Sequence, residues 1–147
     1  MSVTPMTWVV AFGGLVLIAL LAALQAVAVV RPRDRWTVDH VYGSDPADTD
    51  PIAYFAFNRG LAIADVFVWT PLQIAGSLGM LAGQRWGFLL ALMASVPFCY
   101  TAVQLFVWDR DLAFRKPSVS YWIIWGMWPA FGVLEAAYCL VRLLDGA

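Results

Sequence analysis

Two carboxylates lie within long apolar stretches of the chain, where an ionisable side chain is unfavourable. Asp65 and Glu135 are both surrounded in the sequence by aliphatic, aromatic and small residues. At membrane depth such a group costs at least about 2.5 kcal/mol and marks a functional site by default. In an apolar site, either carboxyl group could be a neutral hydrogen-bond donor, a proton carrier or an anchor for a ligand amine.

Neutral polar side chains accompany both carboxylates at matching depths. At about 1.5 Å per helical residue, one layer lies on the side that holds the long loops and contains Gln25, Asp65, Gln104 and, slightly deeper, Tyr100. A second layer lies in the other half-membrane and contains Gln73 and Glu135, at the level of Gly13, Gly14 and Ser95. Helical spacing predicts that these residues face the interior.

Aromatic residues and prolines complete the candidate site. Pro71, Pro97 and Pro129 each interrupt an apolar run and predict kinks that open a central pocket. Such a pocket would suit a lipophilic ligand with one cationic or hydroxyl group. The candidate ligand-binding residues are Asp65, Gln25, Tyr100, Gln104, Trp69, Gln73, Trp125, Trp128 and Glu135.

A purely structural role is the alternative for both carboxylates. Asp65 could pair with Gln25, Gln104 or Arg59 and so lock the helix packing. Glu135 could extend towards the membrane surface, or pair with Arg142 on the same helical face. The prolines could likewise be tolerated without forming a pocket.

The elements that must position these residues are four apolar spans. A spanning helix needs about 20 mostly apolar residues, and the stretches 7–30, 60–82, 86–108 and 119–144 qualify. A polar loop covers 31–59, and Asp50-Pro51 within it reads as a helix start. The sequence therefore predicts an all-α fold, an integral membrane four-helix bundle, with residues 1–147 as a single transmembrane domain.

Composition excludes several classes of protein. The chain is 62% hydrophobic and 13% charged, whereas soluble domains are roughly 45–50% apolar and about 25% charged. A soluble enzyme and a disordered chain are therefore excluded, and a net charge of −1 argues against nucleic-acid binding. His40, Cys99 and Cys139 form no metal-binding pattern, so we expect neither a metal nor a cofactor.

The distribution of positive charge predicts an orientation. The two longer loops carry seven of the nine positive residues: Arg31, Arg33, Arg35, Arg59, Arg110, Arg115 and Lys116. Only Arg85 and Arg142 lie on the other side. By the positive-inside rule the long loops are cytoplasmic and both termini lie outside.

The second span resembles a known family. The run Asp65–Pro71, the turn Gly83–Trp86, the stretch Leu24–Val27 and the pairs Asp50-Pro51 and Trp128-Pro129 are similar to the EXPERA group, which includes the sigma-two receptor and emopamil-binding protein. The resemblance implies a sterol- or lipid-like ligand in an intramembrane pocket, with Asp65 as the span-two acid and Asp50 matching a loop acid.

The same resemblance argues against catalysis. Leu61 stands where isomerase members of the family pair a histidine with the span-two acid, and Ala23 stands where the family has a further acid. We therefore expect no isomerase activity.

Ligand binding is the function that the sequence favours. The expected partner is a membrane lipid or a lipophilic small molecule, with Asp65 as the principal anchor, and a homo-oligomer stays open. The alternatives are a small proton-coupled transporter and a structural membrane subunit. An enzyme using both carboxylates is disfavoured, because they lie roughly 12–15 Å apart in depth.

Overall fold

A computed structural model describes the backbone of residues 1–42, 51–112 and 119–145, and the side chains of 1–42, 51–103 and 126–145. All regular structure in these ranges is helical, as the sequence predicts. The helices are α1 (Pro5–Val30), α2 (Arg35–Thr37), α3 (Pro51–Ala64), α4 (Thr70–Leu81), α5 (Arg85–Leu112) and α6 (Val119–Asp145), with π-helical turns at Val38–Tyr42 and Asp65–Trp69.

The ends of α1 are set by local hydrogen bonds. The Thr4 hydroxyl accepts from the backbone N–H of Thr7, whose own side chain accepts from the Thr4 backbone, and Pro5 fills the first helical position. The helix ends at Val30, two residues before Pro32, which disfavours helical geometry in the residue that precedes it.

The second long helix is longer than its hydropathy predicts. It runs without a break from Pro51 to Leu81 through α3, the π-turn and α4. The helix therefore begins nine residues before the expected start of the membrane span near residue 60, because its backbone hydrogen bonds continue through polar Asn58 and Arg59, which lower the hydropathy. The helix start predicted at Asp50-Pro51 is confirmed at Pro51; Asp50 lies outside the described residues.

The turn between α4 and α5 depends on a glycine. Gly83 adopts a left-handed conformation, with φ +66°. The N–H of Gly83 bonds to the carbonyl of Met80, and the N–H of Gln84 bonds to that of Gly79. These two bonds satisfy carbonyls at the helix end and reverse the chain direction.

Helix packing follows the chain order. α4 packs against α1 and α5, α6 packs mainly against α5, and α1 also contacts α6. Where α4 crosses α5, a Cβ on Gly79 would lie 2.6 Å from the Cα of Gly87, and a Cβ on Gly76 would lie 2.6 Å from the backbone N of Ala91. These α4 glycines therefore serve a contact within the chain.

Four helices are long and apolar enough to cross a membrane: Pro5–Val30, Pro51–Leu81, Arg85–Val103 and Gly126–Asp145. Their outer faces carry large exposed apolar side chains, among them Val16, Leu20, Phe67, Val68, Val96, Val133 and Val141. Their inner faces carry small and polar residues, among them Ala11, Gly14, Gly76, Ser77, Ala94 and Ser95. This inverted distribution suits a lipid environment.

Candidate functional site

A buried acid–amide pair links α4 to α6. The Nε2 of Gln73 donates to the Oε1 of Glu135 at 2.7 Å, and both side chains are 0% exposed. The predicted depth match between Gln73 and Glu135 is thus confirmed as a direct contact. Each residue lies roughly 12–15 Å from the nearer end of its helix, about halfway across a hydrocarbon core of about 30 Å.

Gly14 on α1 makes room for this pair. A Cβ built on Gly14 would overlap Nε2 of Gln73 and lie 3.3 Å from Oε1 of Glu135. The absence of a side chain at residue 14 therefore lets the amide and the carboxyl group meet against the α1 backbone. Three helices contribute to the site: α1, α4 and α6.

Ser77 supplies the other contact of the Gln73 amide nitrogen. Its Oγ accepts from Nε2 at 3.3 Å, one turn along α4. Ser77 is not among the residues predicted for the site, although its spacing of four residues from Gln73 places both on one helical face. This spacing is the sequence feature from which the contact between Gln73 and Ser77 could be predicted.

Several buried oxygen atoms at and near the pair have no hydrogen-bond partner within the described part of the chain. They include Oε1 of Gln73, Oε2 of Glu135 and, one turn before Gln73 on α4, Oγ1 of Thr70. Buried polar atoms without a partner are rare and costly. The two at the pair are the oxygen atoms that its single hydrogen bond leaves unused.

Arg142 is not the partner of Glu135. Its guanidinium donates to the backbone carbonyl of Ser2 and lies 5.5 Å from the ring centroid of Phe88. Glu135 is fully buried, so it does not extend towards the surface either. Both structural alternatives for Glu135 are therefore wrong, because the Gln73 amide is within hydrogen-bonding distance and Arg142 is held at the end of α6.

Asp65 has very different surroundings. It is half-buried at the first position of the π-turn, and its carboxylate has no hydrogen bond or ion pair with the described residues, Gln25 and Arg59 included. Buried Ala62 and Trp69 lie along the helix on one side of it, and exposed Val68 lies on the other. The carboxylate thus stands at the edge between the packed interior and the outer face.

Pro71 explains the π-turn at Asp65. Proline has no N–H to continue the α-helical ladder, and the preceding N–H, that of Thr70, bonds to the carbonyl of Asp65, five residues back. A single π-turn of this kind inserts an extra residue into a helix and is frequent at functional sites.

The aromatic candidates form part of the core between α4, α5 and α6. The indole Nε1 of Trp69 donates to the carbonyl of Ala94 at 2.8 Å. The centroid of the Trp69 ring lies 4.6 Å from that of Phe98 and 6.2 Å from that of Trp128, and both pairs are edge-on.

Two further candidates lie away from this core. Tyr100 is 66% exposed, on the opposite face of α5 from buried Phe98 and Ala102, so the structure does not bring it to the site. Gln25 is half-buried near the end of α1. The side chains of Gln104 and Trp125 lie outside the described residues.

A second polar cluster joins the start of α1 to α6. The Tyr138 hydroxyl hydrogen-bonds to those of Thr4 (2.9 Å) and Thr7. This cluster was not predicted, because the partners are more than a hundred residues apart and Tyr138 stands in an apolar run.

Metal binding has no support within the ranges that the structure describes. No group of three or more His, Cys, Asp or Glu side chains there could hold an ion. Cys99 and Cys139 are free thiols, and His40 stacks on exposed Trp36.

No family model, curated protein or solved structure matches this chain. The resemblance to the EXPERA group therefore rests on the sequence motifs alone.

Proposed function

We propose that this chain is a small multi-pass membrane protein that binds an amine-bearing lipophilic molecule, with Asp65 as the ionic anchor. The observation that carries the proposal is the Asp65 carboxylate, which is half-buried within an apolar helix and has no described partner. A carboxylate at membrane depth requires compensation, and a ligand cation supplies it.

Electrostatics favour a cationic group over a neutral one. Two opposite unit charges about 4 Å apart attract by about 4 kcal/mol at an effective dielectric constant of about 20, before the desolvation of either charge is subtracted. A hydroxyl group can only donate a hydrogen bond, which contributes about 1.5–3 kcal/mol to a charged acceptor. The ligand head is therefore an amine.

The surroundings of Asp65 define the rest of the ligand. Phe67 and Val68 are 67% and 66% exposed on the outer face beside it, so a hydrocarbon chain can lie along α4 while the amine meets the carboxylate. The cluster of Trp69, Phe98 and Trp128 is packed behind this position, so the ligand is proposed to lie on the outer side of it. The proposed site opens laterally towards lipid.

The similarity of Asp65–Pro71 to the EXPERA group agrees with this chemistry, since that resemblance implies a sterol- or lipid-like ligand and an acid that holds an amine. Binding without catalysis is proposed, because Leu61 replaces the histidine of the isomerase pair. Glu135 is fully buried and bonded to Gln73, so it is left out of the ligand contacts.

Native mass spectrometry, followed by lipid extraction, tests the proposal. The wild type, Asp65→Asn and a control variant Asp39→Asn are purified in mild detergent; Asp39 is an exposed carboxylate that pairs with Arg35. The wild type and the control should retain a discrete amine-bearing species that Asp65→Asn loses. Equal amounts of bulk phospholipid on all three proteins would contradict the proposal.

A proton-coupled carrier is the second candidate. The unpaired oxygens of Thr70, Gln73 and Glu135 favour it, because Thr70 and Gln73 follow Asp65 along one helix and Glu135 of α6 meets Gln73. Proton flux into liposomes should then be lost in both Asp65→Asn and Glu135→Gln. Flux equal to that of empty liposomes in the wild type would exclude this candidate.

A further inference from the structure

Glu135 and Gln73 make one of the two hydrogen bonds that an acid and an amide can form with each other. One bond joins Nε2 of Gln73 to Oε1 of Glu135, while Oε2 of Glu135 and Oε1 of Gln73 are both buried and unpaired. Two acceptors cannot satisfy each other. A single hydrogen placed between them would satisfy both.

An ionised Glu135 would have no positive charge to compensate it among the side chains that the structure describes. Helices α1 and α4, which contact it through Gly14 and Gln73, contain no titratable residue. On α5 the titratable side chains up to residue 103 are Arg85, Cys99 and Tyr100, and Tyr100 is directed outwards.

The described α6 side chains next to Glu135 in the sequence supply no free cation either. The Tyr138 hydroxyl bonds to Thr4 and Thr7. The Cys139 thiol donates to Sδ of Met80 at 3.6 Å. Arg142 is held by Ser2. A buried carboxylate with one neutral donor and no cation is strongly unfavourable.

We propose that Glu135 is a proton-binding site, in which a neutral carboxylic acid donates from Oε2 to Oε1 of Gln73 and closes a cyclic acid–amide pair. The proton comes from a hydronium ion of the bulk water: one O–H bond of hydronium breaks, the O–H bond of the acid forms, and a water molecule is released. The terminal torsions of Glu and Gln side chains are soft, so a small rotation of both planar groups aligns the second hydrogen bond beside the first.

The proton would make the buried site between α1, α4 and α6 electrically neutral. When the acid and the amide form both hydrogen bonds of the ring, Oε2 of Glu135 and Oε1 of Gln73 each have a partner in the apolar interior. Gly14 is then required because a methyl group at residue 14 would occupy the position of the amide nitrogen. This site is independent of a ligand at Asp65, because it rests on the contacts of Glu135 alone.

Infrared spectroscopy of the protein in lipid nanodiscs tests the proposal. The carbonyl stretch of a protonated carboxylic acid is resolved from carboxylate and amide bands. The wild type should show a component of this band whose intensity is the same at about pH 5 and at about pH 8. Glu135→Gln should lose this constant component, and Asp65→Asn should keep it.

A stability measurement distinguishes a neutral pair from an ionised one. Glu135→Gln can form both hydrogen bonds of the ring through two amides, so it should unfold at nearly the wild-type temperature, whereas Glu135→Ala should unfold at a lower one. The proposal is overturned if the band of Glu135 is present only at acidic pH, or if Glu135→Gln is as unstable as Glu135→Ala.

Discussion

At the scale of single residues, Asp65 and Glu135 carry the same functional group in opposite surroundings. Glu135 is 0% exposed and bonded to an amide at 2.7 Å. Asp65 is half-buried and has no bond to any described side chain. Accessibility therefore separates a carboxyl group that serves the interior from one that can receive a ligand.

Replacing Gln73 by Leu should destabilise the protein. The change keeps a similar volume but removes the donor to Glu135, and an unsatisfied buried polar group costs about 1–3 kcal/mol. Thermal unfolding in nanodiscs measures this loss. The control Gln84→Leu alters an exposed amide in the α4–α5 turn and should unfold like the wild type; equal unfolding temperatures for all three proteins would show that the Gln73 bond contributes nothing.

Gly14→Ala should also lower stability, for a steric reason. The added methyl group would overlap the Gln73 amide, and overpacking of this kind costs about 1–3 kcal/mol. Gly60→Ala is the matched control, because nothing lies within 4 Å of a Cβ there. It should be neutral or stabilising by roughly 0.5–1 kcal/mol. If both variants unfold at the same temperature, the close contact at Gly14 is not required.

The sequence predicts the depth of a residue along its helix better than it predicts which face of that helix is buried. Counting residues along the spans placed Gln73 opposite Glu135 because rise per residue is nearly constant in helices. Tyr100 was assigned to the interior from its spacing with Pro97, yet it faces outwards. Which face of an apolar helix is buried depends on the neighbouring helices. The two faces of α5 are similarly apolar, so its composition does not identify the buried face.

At the scale of elements, the contact between α4 and α5 depends on glycine. A Cβ on Gly79 would lie 2.6 Å from the Cα of Gly87, and neither backbone can move without separating the helices. We expect Gly79→Ala to reduce stability clearly, by about 1–3 kcal/mol. Thermal unfolding against Gly126→Ala, where a Cβ meets nothing within 4 Å, checks this; an equal effect of both substitutions would count against a close helix crossing.

Helix boundaries show where local signals suffice. Hydropathy places the first span at 7–30, and the Thr4 cap with Pro5 starts α1 two residues earlier; Gly83 reverses the chain after α4, in the short turn that the sequence predicts. The π-turn at Asp65–Trp69 was not predicted, although Pro71 was expected to disturb the helix. A proline removes one hydrogen bond, and tertiary packing decides whether the helix then kinks or gains an extra residue.

At the scale of the whole molecule, both ends of the described chain lie on one side of the helices. The Met1 amino group donates to the Gly83 carbonyl at 2.6 Å, and Arg142 contacts Ser2. This agrees with an even number of crossings. The positive-inside rule adds that this side is external, which stays a prediction.

Cysteine labelling in intact cells measures the sidedness. In a background with Cys99→Ala and Cys139→Ala, Ser2→Cys should react with a membrane-impermeant maleimide, and Arg35→Cys should react only after the cells are opened. The charge distribution predicts this result because seven of the nine positive residues lie within the segments 31–59 and 109–118, on the side opposite to the termini. The reverse labelling pattern would show that the chain inserts in the other orientation.

The most direct test of the proposed function compares two single-chain amphiphiles of equal length, one with an ammonium head and one with a hydroxyl head. Their affinities are measured for the wild type, Asp65→Asn and Asp39→Asn in nanodiscs. The wild type and Asp39→Asn should bind the ammonium compound at least about tenfold more tightly than the alcohol, a difference of about 1.4 kcal/mol, and Asp65→Asn should bind both equally. Equal binding of the two compounds by the wild type, or a preference for the ammonium that survives in Asp65→Asn, would contradict the assignment of Asp65 as the ionic anchor.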